Sequence, residues 1–77
     1  MNLQIGSLVT VTITSVDDMG YLVNIDDYNQ TGFMSLHDAH WKKKFKRMKV
    51  GDPCRAYIIR IQDNYIDLST KNTIQVL

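Results

Sequence analysis

SLVTVTITSV, Ser7 to Val16, is the stretch on which the fold turns. Val9, Val11 and Ile13 alternate with Thr10, Thr12 and Thr14, a period of two that suits a pleated strand and not a helix. β-Branched residues at nearly every position push the same way, because they crowd a helical turn and pack well on a sheet. Working outward, Asp17–Asp18–Met19–Gly20 reads as a turn, with Gly20 free to take positive φ. YLVNI, Tyr21 to Ile25, makes a second strand. The polar run DDYNQTG predicts a longer connection ending at Gly32, and FMSL, Phe33 to Leu36, a short third strand.

Beyond Leu36 the alternation stops. Residues 37–50 contain no Gly or Pro, and Trp41, Phe45 and Met48 fall at i, i+4 and i+7. That spacing predicts a short helix with three apolar groups on one side and lysines over the rest, ended by Gly51–Asp52–Pro53. CRAYIIRI (Cys54–Ile61) predicts a fourth strand, Gln62–Asp63–Asn64 a tight turn and YIDLS (Tyr65–Ser69) a fifth strand, with residues 70–77 trailing off. Tyr21, Val23, Met34, Leu36, Cys54, Ala56, Ile58, Ile66 and Leu68 alternate onto one face and are the expected core. Five short strands with a helical or irregular insert after the third imply an all-β, five-stranded OB-fold barrel. Closure hides the edges that a flat sheet of this size would expose. A five-stranded SH3-like barrel is the nearest alternative. One domain over residues 1–77, with its core at about 5–71, is expected for a chain of this length.

The formal net charge of +1 hides an asymmetry. Six of the nine Lys and Arg residues lie in HWKKKFKRMK (His40–Lys49), and all eight acidic residues are Asp. The chain is an acidic body carrying one basic segment, and that segment predicts a polyanionic or acidic partner. Two His and one Cys are too few for a closed zinc site, which usually takes four ligands, so no metal and no cofactor is expected. His37, Asp38 and His40 cluster, but nothing completes a catalytic site around them, and the expectation is not an enzyme. Cys54 alternates into the core, where a thiol is inert. No apolar run approaches the roughly 20 residues of a membrane span, and MNLQIGS lacks the pattern of a signal peptide. A cytoplasmic, monomeric domain is expected.

The order of short motifs is familiar. Gly6, GYLV (Gly20–Val23), GFMSLH (Gly32–His37), VGDPC (Val50–Cys54) and YIDLSTK (Tyr65–Lys71) together resemble the S1 domain, an RNA-binding OB-fold repeated in the largest small-subunit ribosomal protein of bacteria. DDYNQTGF and NYIDLS are further similar to the N-terminal S1 domain of the alpha subunit of translation initiation factor two, and to its short viral mimics. The resemblance implies a non-catalytic module that binds RNA, single-stranded or structured and including the ribosome, in translation or RNA metabolism. Its stacking face would fall on Leu22, Asn24, Phe33 and Ser35, with Tyr65 beside them. Leu22 and Ser35 replace the usual aromatic and His, which leaves Phe33 and Tyr65 as the expected stacking residues. Lys42, Lys43, Lys44, Lys46 and Arg47 would contact phosphate. The mimics imply an alternative, a pseudosubstrate inhibitor of the kinase that phosphorylates the factor. In that alternative His40 stands near the phosphorylated Ser, ahead of the lysines.

Overall fold

The computed structural model describes residues 3–39 and 47–71. Its elements are β1 (Leu8–Val16), β2 (Gly20–Ile25), β3 (Gln30–Ser35), α1 (Leu36–Ala39), β4 (Pro53–Gln62) and β5 (Tyr65–Ser69). The strands close into a barrel in the order β1-β2-β3-β5-β4, antiparallel except where β3 meets β5 in parallel at Phe33 and Asp67. This is the expected all-β OB-fold barrel, with a short helix between the third and fourth strands.

Alternation along the strands fills the interior. Val11, Ile13, Tyr21, Val23, Ile25, Met34, Ala39, Ala56, Ile58, Ile66 and Leu68 form one buried cluster. Burying a large aliphatic side chain contributes about 1.5–3 kcal/mol, so this cluster is the main source of stability. Leu36 and Cys54, expected in the core, are only partly buried against it. Leu36 belongs to the first turn of α1 and has left the strand's in-and-out rhythm, while Cys54 sits near the start of β4. Burial still pushes the Cys54 thiol above its ordinary pKa of 9.0.

Two strands carry a bulge. In β1 the register shifts between Ile13 and Ser15, and the Thr14 hydroxyl donates to the Leu22 carbonyl. In β4 it shifts between Ile58 and Arg60, so Ile59 is the extra residue. Ile58 then pairs with Leu68 and Ile61 with Ile66, both partners buried, while Arg60 pairs with Asp67 on the outer surface.

The second and third strands are joined more tightly than the polar run predicts. β3 begins at Gln30, which pairs with Ile25, and the connection is only Asp26–Asn29. Asn29 takes a left-handed φ of 49°, and the Tyr28 N–H donates to the Ile25 carbonyl at 3.1 Å. Gln30 and Thr31 are polar yet satisfy a ladder, because strand pairing asks only for backbone groups on that side. At the opposite end Gly20, at φ +153°, closes the β1–β2 turn, where Asp17 accepts the N–H groups of Met19 and Gly20.

The insert departs from the helix predicted over residues 37–50. Among the described residues α1 covers Leu36–Ala39, and residues 47–49 have no regular structure, so no helix reaches the glycine stop. Trp41 and Phe45, two of the three apolar positions in that prediction, lie outside the described residues. Met48, the third, is half-buried against the core, and its N–H donates to the hydroxyl of fully buried Tyr21 at 3.1 Å. A helical Met48 would spend that N–H on the helix ladder. Ser35 caps α1: its Oγ accepts the Asp38 N–H and donates to the Asp38 carboxylate. The far end of α1 is held by β5, with the Ser69 and Thr70 hydroxyls donating to the Asp38 carbonyl.

Candidate nucleic-acid interface

Strand pairing sets four outward side chains in one row. Leu22 on β2 faces Phe33 on β3, Phe33 faces Asp67 on β5, and Asp67 faces Arg60 on β4. One step along β5 stands Tyr65, opposite Gln62 and 70% exposed. Leu22, Thr31, Phe33, Asn64, Tyr65 and Ile66 line a shallow apolar depression of about 140 Å³. Phe33 and Tyr65 thus share one surface feature, Phe33 half-buried and Tyr65 open to solvent.

Gly32 forms part of the floor, and a Cβ there would lie 2.5 Å from Leu68 Cδ1. The chain passes close over the core at this point, so a side chain here would displace Leu68 and push β3, with Phe33, away from the interior. Leu22 is 41% exposed, so the position where the family carries an aromatic adds apolar area without a ring.

Arg60 and Asp67 are joined at 2.8 Å, with side-chain exposures of 67% and 18%. An exposed pair of this kind adds only about 0–1 kcal/mol to stability. Its effect on the surface is larger. A carboxylate beside Phe33 would repel a phosphate, and the guanidinium cancels that charge while keeping N–H donors to spare. Neither residue stands out in the sequence, because their pairing depends on the β4 bulge.

The other expected site residues part company here. Asn24 is half-buried in the β2 ladder, and Ser35 is committed to capping α1. Arg47 is exposed beside Met48, whereas Lys42, Lys43, Lys44 and Lys46 lie outside the described residues. His37 is exposed, and among the described residues no group of three or more His, Cys or acidic side chains is placed to hold a metal. Nor is any described helix long and apolar enough to cross a membrane.

Comparison with known proteins points the same way. No curated protein shows significant sequence similarity to the chain. Among solved structures, it is similar to a chain in the a/eIF2alpha–aDim2p–rRNA complex of Pyrococcus horikoshii OT3, at 24% identity and a TM-score of 0.79, covering 97% of this chain and 48% of that one. It is similar to the intact alpha subunit of aIF2 from Pyrococcus abyssi, at 25% identity and 0.74, covering 88% and 28%. GSP13 of Bacillus subtilis matches at 22% and 0.73, covering 90% and 56%. The chain therefore spans about half or less of both archaeal alpha-subunit structures. Together with the barrel order and the motif series, a family match over residues 2–71 settles the affiliation: the chain belongs to the S1 RNA binding domain family.

Proposed function

We propose that the chain is a small non-catalytic module that binds single-stranded RNA and acts in translation or RNA metabolism. The observation that carries this reading is the shared depression of half-buried Phe33 and exposed Tyr65 on the outer face of β3 and β5. Single strands are held where aromatic faces stack on bases beside positive charge. Phe33 and Tyr65 supply the faces. Lys42, Lys43, Lys44, Lys46 and Arg47 supply the charge from the insert, and Arg60 neutralises Asp67 beside Phe33.

The test is label-free calorimetry with short single-stranded RNA. Tyr65→Ala weakens binding by about 1–3 kcal/mol, the range for one lost base stack. Phe or Trp at position 65 restores most of it, since stacking needs a flat face and not a hydroxyl. Changing Lys42, Lys43 and Lys44 together to Ala weakens all sequences alike, and the slope of log affinity against log salt falls by about 0.7 per lost phosphate contact. If Tyr65→Ala changes nothing while the lysine variant loses binding, stacking is wrong and only the electrostatic part stands. If neither changes RNA affinity, the RNA reading fails and the face serves a protein partner.

A further inference from the structure

The stacking depression does not end at Tyr65. A second hollow, of about 480 Å³, opens on the other side of the β4–β5 turn, and Asn64 and Ile66 line both. Its volume falls in the range of about 300–1,000 Å³ typical of clefts for small molecules. Ile61 and Ile66 give it an apolar floor, and Tyr28, from the β2–β3 turn, a half-buried aromatic wall. Gln30 and Asn64 bring carboxamides to the hollow, and Asp63 brings a carboxylate at a turn with φ 53°. None of the four polar side chains, Tyr28 included, makes a hydrogen bond to a described residue.

The electrostatics of this hollow differ from those of the stacking face. No described Lys or Arg lines it, and Asp26 and Asp27 share the turn that carries Tyr28. A phosphate there would meet carboxylates and no described cation. What suits the hollow is a flat ring, amide-type hydrogen-bonding edges and hydroxyl donors, with no charge. Carboxamides offer both a donor and an acceptor to a base edge, and an ionised carboxylate accepts only, as ribose hydroxyls require.

We propose that this hollow takes the terminal nucleoside of an RNA strand, an end that carries free hydroxyls and no phosphate. The proposal rests on the RNA reading of the adjoining face. The penultimate bases stack on Tyr65 and Phe33, the strand passes Asn64, and the last nucleoside sits against Tyr28 with its ribose hydroxyls on Asp63. The domain then reads where a strand stops as well as that it is single-stranded.

The experiment compares one short oligoadenylate in three forms: hydroxyls at both ends, a 3′-phosphate, or a 5′-phosphate. Calorimetry on the whole chain is expected to show one phosphorylated form binding about three- to tenfold more weakly, the loss of a hydrogen-bonded end. Which form it is names the end that is bound. Asp63→Asn removes this penalty, because an amide tolerates phosphate, whereas Asp18→Asn in the distant β1–β2 turn leaves it in place. Equal affinity for all three forms overturns the proposal, as does equal relief by both Asp variants, which would mark a general field and no pocket. In either case a loss of affinity in Tyr65→Ala leaves the stacking reading intact. If Tyr65→Ala and the triple lysine variant are both silent toward all three forms, the RNA reading itself has failed.

Discussion

Tyr21→Phe removes a hydrogen bond that ties the returning insert to the barrel. Tyr21 is completely buried, and its hydroxyl accepts the Met48 N–H at 3.1 Å. Removing one oxygen keeps the ring and opens almost no cavity, so the change is close to the deletion of the hydroxyl's hydrogen bonding, the Met48 bond included. An ordinary intramolecular bond contributes about 0.5–1.5 kcal/mol net, and a fully buried donor left without a partner costs about 1–3 kcal/mol. Met48 is only half-buried, so water reaches its N–H and the lower range applies. A loss of about 1 kcal/mol corresponds to a fall in Tm of about 4–8 °C for a domain of this size. Circular dichroism melting measures the fall, and hydrogen exchange should show the Met48 amide losing its protection more than amides of the β1–β4 ladder. An unchanged Tm together with an equally slow Met48 amide would refute the idea that Tyr21 anchors the insert.

Gly20→Ala should be far more damaging, by about 3 kcal/mol or more, because positive φ and steric overlap act together. Its Cβ would lie 2.4 Å from the Met34 carbonyl oxygen and 2.8 Å from Ser35 Cα, backbone that cannot swing aside. Loss of the cooperative melt at 37 °C is the expected readout. Cys54 gives a pH dependence. Burial raises its folded pKa above 9.0, so its contribution to stability is complete below pH 9 and is lost as pH climbs through the folded value. Urea midpoints from pH 7 to 10 should therefore decline at the alkaline end more in the native chain than in Cys54→Ala, and alkylation of the folded thiol at pH 8 should lag that of the unfolded chain.

The strands were legible wherever one face meets the core and the other meets water. The Val-Thr alternation of β1 and the YIDLS run of β5 needed nothing else. Legibility failed where parity is broken or where polar side chains sit in a ladder. Gln30 and Thr31 read as loop because their composition is polar, yet they pair with Ile25 and Asn24. Ser35 read as an outward strand residue, but the Ser-x-x-Asp spacing before Ala39 is a capping pattern that could have marked it. Ala39 and Ser69 are buried through the contact of α1 with the end of β5, which no local pattern announces. In the candidate site, Phe33 and Tyr65 emerged from the family motifs, and the structure sets them in one depression. Arg60 and Asp67 did not emerge, because an ion pair between strands is visible only once the register is known. The hollow around Tyr28 was hidden for the same reason, since three separate segments build it.

The extra residue in β4 makes that strand a ruler as well as a scaffold. Counting from Pro53 to Tyr65, the identities of the residues say which side chains exist, but the count says which of them the solvent sees. Deleting Ile59 would remove only the extra place: Ile58, Arg60, Ile61 and Gln62 would alternate regularly and keep their partners Leu68, Asp67, Ile66 and Tyr65. A one-residue gap between Pro53 and Ile58, with the bulge kept, is a different event. It would exchange the two faces of the strand on one side of the gap, turning apolar side chains toward water and polar ones inward. Chains of this family that differ by one residue in this interval should keep the same outer surface where the gap falls at the bulge and display a different one where it falls elsewhere.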